Sequence, residues 1–257
     1  MKTEIIPLQA ETVQNLTERR APVHVYQEID STNEKGRQLI MEGAPSGTLI
    51  LAEKQTKGRG RRGHSFYSPE SGLYFTMLYR PENEEAAIAK TTVAAAVSLC
   101  EAVEKTAGIA CGIKWVNDLY LNGKKIAGIL CEAPRDMHGN LPGIIIGIGI
   151  NVSQKEFPEE IRDIAGSLNQ PDLDRNVLAA ALADRLMYWL ERLDSEELTE
   201  RYKAWSAILG KEVSFIMEER TITGIATDIN ADGNLIVEAD RTYTLSSGEI
   251  SLTSWQS

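Results

Sequence analysis

Three glycines and four basic residues stand together in Lys57-Gly58-Arg59-Gly60-Arg61-Arg62-Gly63. Glycine lets a backbone approach a ligand closely, and arginine presents a planar, permanently charged fork matched to phosphate or carboxylate. With Lys54 the cluster reaches five cations in a chain of formal net charge -10. It reads as an anion clamp, although a solvated basic turn or a nucleic-acid patch has the same composition. The segment is formally a GxGxxG, but a dinucleotide fold needs a helix directly after it, and His64 to Gly72 contains Pro69 and no helical pattern. No HRD or DFG segment follows, as a kinase glycine loop would require, and no Gly-Lys-Ser/Thr is present for a Walker loop.

Three other segments carry groups with chemical potential. Lys114-Trp115-Val116-Asn117-Asp118 places an Asn-Asp pair at a strand end, suited to a ribose or a metal-bound ligand. Lys124 and Lys125 follow; a strand lysine could bridge two anions. Strict alternation puts Lys125 on one face with Ala127 and Ile129, and Lys124 on the other with Ile126 and Gly128, so position alone does not choose between them. Gly147 and Gly149 alternate with isoleucine where glycine weakens packing, which suggests close approach by a ligand or a neighbouring backbone, and Asn151 ends that run.

The elements that must position these groups are readable in outline. Ser31 and Glu34 have capping-box spacing and Gly43 stands at a helix stop, so Ser31, Thr32 and Asn33 should lie at a helix N-terminus. Strands are expected over Thr48 to Glu53 and Leu73 to Arg80, with the basic loop between them. An alanine-rich helix spans Glu84 to Thr106. Extended segments follow at Ile109 to Trp115, Leu119 to Leu121, Lys125 to Cys131 and Gly143 to Asn151, the middle two joined by Asn122-Gly123, a strong hairpin signal. Helices are expected over Asn176 to Leu193 and Glu196 to Leu209. After Gly210 the texture changes to short strands over Glu212 to Met217, Thr221 to Ile229, Leu235 to Ala239, Thr242 to Leu245 and Glu249 to Thr253, with a turn at Asn230-Ala231-Asp232-Gly233. The expected fold is α+β: a mainly antiparallel mixed sheet packed by helices over residues 1–209, then a small β-barrel over 210–257.

Composition bounds the function. With 257 residues, 42% of them hydrophobic, the chain can build one main core and a small second one. The acidic balance disfavours loose attraction to nucleic acid or anionic membranes. No apolar run reaches membrane-spanning length and the first 22 residues do not resemble a signal peptide, so a cytoplasmic protein is expected. Cys100, Cys111 and Cys131 show no CxxC spacing, and buried reduced thiols are expected rather than a disulfide framework or a zinc site.

Taken in order, the motifs resemble the biotin protein ligases, also called biotin–[acetyl-CoA-carboxylase] ligases. The matching pieces are Asp30-Ser31-Thr32-Asn33, Ala52 to Gln55 leading into Gly58 to Gly63, Lys114 to Tyr120, Lys125 to Leu130, Gly147 to Asn151, and Gly248 to Leu252. The resemblance implies a catalytic domain like that of class II synthetases and a C-terminal SH3-like barrel. It implies that biotin and ATP, with Mg²⁺, form biotinyl-5'-AMP and pyrophosphate, and that biotin then passes to a lysine of the biotin carboxyl carrier protein of acetyl-CoA carboxylase. By resemblance, Ser31, Thr32, Asn33, Gln55, Arg59, Gly60, Arg61 and Lys125 bind biotin. Arg61, Arg62, Lys114, Asn117, Asp118 and Asn151 face ATP or the adenylate, Asp118 also facing the metal, and Lys125 and Arg61 are the catalytic pair. Val116 departs from the proline common there. Thirty residues before Ser31 are too few for the family's N-terminal winged helix-turn-helix, so a monofunctional ligase without DNA binding is expected. A lipoate protein ligase is the nearest alternative and a DNA-binding regulator the more distant one. Sheet edges would allow a homodimer.

Overall fold

The computed structural model describes residues 6–82, 84–246, 248 and 250–252. The larger sheet has seven strands: β1 (Val23–Ile29), β2 (Leu49–Gln55), β3 (Gly72–Tyr79), β4 (Gly112–Lys114), β5 (Asp118–Leu121), β6 (Lys124–Glu132) and β7 (Ile144–Asn151). Their spatial order is β1-β2-β3-β7-β6-β5-β4. Only the β1–β2 pair is parallel, so the sheet is mixed and mainly antiparallel as expected. Five helices accompany it among the described residues: α1 (Ala10–Leu16), α2 (Thr32–Met41), α3 (Glu84–Ala107), α4 (Arg175–Leu190) and α5 (Glu196–Ala204). The second sheet comprises β8 (Glu212–Met217), β9 (Arg220–Ile229), β10 (Leu235–Glu238), β11 (Thr242–Leu245) and β12 (Ser251–Leu252), all antiparallel, with β12 returning beside β8. Glu249 and Thr253, expected in the last strand, lie outside the described residues.

Strand alternation divides β3 between two layers. Leu73, Phe75 and Met77 pack in one cluster with Ala94, Val97 and Leu178 of α3 and α4. Leu78 turns the other way and packs with Ile40 of α2, Ile50 and Ile145. Alanine-rich α3 presents little side-chain bulk, so it sits close against both α4 and the sheet; each fully buried Leu or Phe there contributes roughly 1.5–3 kcal/mol. Helix α2 covers the opposite face, and its first residues, Thr32 and Asn33, bond Gln55 at the end of β2 and Leu130 and Glu132 of β6.

Several expectations were moved by tertiary pairing. Helix α5 was expected to run to Leu209 but stops at Ala204, because the Trp205 carbonyl accepts from the Ile113 amide (2.7 Å) and the Ala207 amide donates to the Ile113 carbonyl (2.8 Å). Strand β4 has only three residues, Gly112–Lys114, paired with Tyr120, Leu119 and Asp118 of β5, and is shorter than the expected Ile109 to Trp115. The Asn122-Gly123 turn is as expected, with φ of 50° and 75° at its two residues. Helix α1 and strand β1 were not foreseen.

Candidate functional site

The site is built where α2 meets the sheet. Ser31 occupies the N-cap position with extended geometry but makes no side-chain cap, so the expected Ser31–Glu34 capping box does not form. Glu34 instead pairs with Arg59, and the first free amide of the helix, that of Thr32, donates to Gln55 Oε1 at 2.8 Å. Gln55 Nε2 donates in turn to Ser68 Oγ (3.1 Å). Thr76 Oγ1 lies 2.8 Å from both Thr32 Oγ1 and Asn33 Oδ1, while Asn33 Nδ2 donates to Leu130 O (3.2 Å) and Glu132 Oε2 (2.9 Å). These bonds lock Asn33 against β7, and they require glycine at 147: a Cβ there would stand 2.1 Å from Asn33 Oδ1. Gly149 makes the same kind of room for the Phe66 ring. The close approach anticipated at these glycines is therefore made by side chains, not by a neighbouring backbone. Gly147→Ala is expected to lower stability by about 1–3 kcal/mol through overpacking, with weaker binding at this site, as urea denaturation and ligand titration will measure. Unchanged stability would mean that Asn33 has another home.

The basic loop folds into a small hairpin of its own. The Gly60 amide donates to His64 O (2.7 Å) and the Phe66 amide to Gly58 O (2.9 Å), around a single 3-10 turn at Arg61–Gly63. Its cations are distributed to different walls. Lys57 bonds Asp30 at 2.8 Å, and that bond holds the Asp30 carboxyl below its ordinary range and Lys57 above its own. Arg59 reaches Glu34 and Glu132, and Arg61 Nη1 donates to Asn117 Oδ1 (3.0 Å).

Across from the loop, Asn117 Nδ2 donates to Asp118 Oδ1 (3.1 Å) and Ile129 O (3.0 Å), and Asp118 Oδ1 lies 2.7 Å from Lys125 Nζ. The β5–β6 register jumps between Leu119↔Ala127 and Tyr120↔Lys125, leaving Ile126 as the extra residue of a bulge. Bulges re-aim side chains. The expected sharing of a face by Lys125 with Ala127 and Ile129 is thereby overturned: Lys125 Nζ lies 3.3 Å from where a Gly128 Cβ would be, whereas Ala127 and Ile129 enter the core. Lys124 is exposed and donates to Arg162 O (3.1 Å). Lys114 lies over the Tyr120 ring, whose phenol burial pushes up to about 12.

Two cavities adjoin here. The first, about 50 Å³, is lined by Ser31, Thr32, Asn33, Gln55, Arg59 and residues of β6 and β7. The second, about 280 Å³, is lined by Arg62, Lys114, Trp115 and Asp118, with Gly248, Ile250 and Ser251 from the second sheet. Gly60, Arg61, Phe66, Asn117 and Lys125 line both. Trp115 is itself held by the second sheet, its Nε1 donating to Gly233 O (2.8 Å). Every site residue expected from sequence lies in these walls except Asn151. Its Nδ2 donates to Gly166 O (2.8 Å) and its Oδ1 accepts from Gln154, so it fastens the 151–168 segment instead. Sequence reasoning missed Phe66, Ser68 and Glu132 as parts of the site and gave Trp115 no role beyond its place in the Lys114 to Asp118 block; contacts with Gly149, Gln55 and Asn33 bring the first three there.

A larger cavity of about 750 Å³ opens between the α1–β1 connection and the end of α4, but it contains none of these residues and its Arg19 is paired with Glu191. Its size is not matched by convergent chemistry. The thiols offer none either: burial raises Cys100 well above its ordinary range and pushes Cys131 up to about 12, and the described residues include no cluster of three or more His, Cys, Asp or Glu able to hold a metal. No helix of the described residues is long and apolar enough to cross a membrane.

Comparison with known proteins agrees with this geometry. Residues 25–151 match the Biotin/lipoate A/B protein ligase family, and residues 208–253 match the Biotin protein ligase C terminal domain. The bifunctional ligase/repressor BirA of Bacillus subtilis is 34% identical over 229 residues, covering 84% of this chain and 69% of the relative. The biotin–[acetyl-CoA-carboxylase] ligase of Paracoccus denitrificans is 31% identical over 230 residues, covering 81% and 90%. The structure of biotin protein ligase from Aquifex aeolicus in complex with biotin and ATP superposes with a TM-score of 0.77 at 33% identity, over 90% of this chain and 98% of that one. With both family regions matched and the fold shared over 90% of its length, this chain belongs to the biotin protein ligase family.

Proposed function

We infer that the protein activates biotin with ATP and transfers it to a lysine of a biotin carboxyl carrier protein. One observation carries the assignment of roles: Lys125, on the bulge, lines both cavities. A cation at that junction can touch a carboxylate arriving from one side and an α-phosphate from the other, which is what acid activation needs. The biotin carboxylate oxygen attacks the α-phosphorus and pyrophosphate leaves; the acceptor amine then attacks the acyl carbon, loses a proton, and AMP leaves.

In this reading Ser31, Thr32, Asn33 and Gln55 bind the polar end of biotin beside the helix N-terminus. Arg59, Gly60 and Arg61 cover biotin and the adenylate; Arg62, Lys114 and Asn117 face the nucleotide. Asp118, one carboxylate in the nucleotide-side cavity, fits the usual manner of holding Mg²⁺ by one or two carboxylates together with substrate phosphates. Bound there, the ion would supply neutralisation of phosphate charge. Asn151 enters the reading only as an anchor of the adjoining segment. The boundary between catalytic and C-terminal domains falls at Gly210.

Incubation with ATP, Mg²⁺, biotin and a biotin carboxyl carrier domain, followed by mass spectrometry of the carrier, is expected to show one added biotin. No shift would sink the assignment. A parallel pyrophosphate assay with lipoic acid discriminates the lipoate ligases. Arg61 joins both cavities and bonds Asn117, so Arg61→Gly is expected to release the adenylate early and label lysines indiscriminately. Labelling that stays on the carrier lysine would show that Arg61 does not retain the intermediate.

A further inference from the structure

One carboxylate beside the first cavity has no direct use in acid activation. Glu132 ends β6, and its side chain is only 15% exposed. Its Oε2 accepts from Asn33 Nδ2 (2.9 Å), and its Oε1 accepts from Arg37 Nη2 (2.7 Å) and lies 3.4 Å from Arg59 Nη2. The other side of the Arg59 guanidinium bonds Glu34 of α2. Glu132 thus touches the fixed wall of the site through Asn33 and Arg37, and the basic loop through Arg59. An anion entering the first cavity meets an Arg59 fork already shared by two carboxylates.

We propose that Glu132 is a positioning residue that ties Arg59 to the strand–helix wall and competes with the incoming anion for that guanidinium, setting how readily the loop engages its ligand. Of the two carboxylates, Glu132 is the better shielded from water, so its field on Arg59 is less screened than that of half-exposed Glu34. The bond to Asn33 adds a second consequence: the residue that restrains the loop also orients the amide on the cavity wall, so loop and wall respond together. The identity of the anion rests on the biotin reading above; the tie itself does not.

The test compares wild type with Glu132→Gln, which can still accept from Asn33 but has lost its charge. Without added substrates, trypsin cleavage after Arg61 and Arg62 is expected to accelerate about two- to fivefold, the range of a partly shielded ion pair. With ATP and biotin, the KM for biotin is expected to fall about two- to fivefold while kcat for pyrophosphate release stays within about twofold. Both changes should vanish in an Arg59→Ala background, because the two residues act through one contact. Unchanged cleavage, a KM that does not fall, or a fall that persists without Arg59 overturns the proposal, since a role confined to holding Asn33 would raise KM with or without Arg59. Should Glu132→Gln not fold, Glu132→Asp, which keeps the charge but draws the carboxylate back from its 3.4 Å contact with Arg59, takes its place in the same cycle with the same expected directions. If the wild type releases no pyrophosphate with biotin, it is the ligand assignment that fails, and the cleavage comparison alone decides the tie.

Discussion

Replacing Lys125 with alanine is expected to slow biotin-dependent pyrophosphate release by about 10²–10³-fold, the loss associated with removing one preorganised charge stabiliser from an acyl- or phosphoryl-transfer site. The expectation rests on geometry. Lys125 Nζ is 2.7 Å from Asp118, its side chain is about one-third exposed, and it lines both cavities. In the proposed reaction, alanine would leave the carboxylate and the phosphate to meet without the Lys125 ammonium. Lys124→Ala is the matched control, because Lys124 is exposed and spends its ammonium on a backbone carbonyl; its rate should stay within about twofold of wild type, as for surface positions generally. The measurement is steady-state pyrophosphate release, with thermal unfolding to confirm that both variants fold. Equal losses at 124 and 125, or near-normal turnover in Lys125→Ala, would remove Lys125 from the reacting centre.

The largest stability effect is expected at Arg175. Its side chain is 3% exposed and pairs at 2.5 Å with Glu53, itself 8% exposed. Arg175 also donates to Gly72 O (2.8 Å), Glu70 O (3.1 Å) and Ile6 O (3.0 Å), and Glu53 Oε1 accepts from the Leu8 amide (2.6 Å). Arg175→Ala leaves the buried Glu53 carboxylate without its cation and the buried Gly72 carbonyl without its donor, which should cost about 3–5 kcal/mol in urea denaturation. The double change Glu53→Leu/Arg175→Met should recover much of that loss, because it removes both charges together. A single-variant loss under about 1 kcal/mol would mean that water reaches the pair and screens it. The pair also matters to the site: Glu53 precedes Gln55 by two residues on β2, so loosening it disturbs the strand that presents Gln55 to Thr32.

Legibility of the fold followed the range of the forces involved. The Asn122-Gly123 hairpin, the alanine-rich α3 and the glycine–isoleucine strand β7 are local signals, and each appears within a residue or two of its expected place. Helix α1 has no such signal: its N-cap is Gln9, whose side chain makes no cap, and the helix is only seven residues long. Strand β1 carries Gln27 and Glu28 and is held by parallel pairing with β2, a partner 26 residues away. The Ser31–Glu34 capping box failed for the same reason, since the long-range partner Arg59 claimed the Glu34 carboxylate that local spacing had paired with Ser31.

The basic loop, the Ser-Thr-Asn helix start and the Lys-Trp-Val-Asn-Asp block were all legible as chemistry, because residue type alone decides charge and hydrogen-bonding capacity. Which groups converge was another matter. Nothing in the spacing of Glu132 announced a place beside that loop; sheet register brought it there. The choice between Lys124 and Lys125 was open for a physical reason: strand alternation assigns opposite faces without saying which is the site. A bulge at Ile126, created by pairing with β5, turned Lys125 toward Gly128 and left Lys124 outside. The amino-acid sequence by itself determined that a glycine-rich, arginine-rich loop has the charge and the hydrogen-bonding capacity to hold anions. Tertiary pairing decided which lysine stands where two of them can meet.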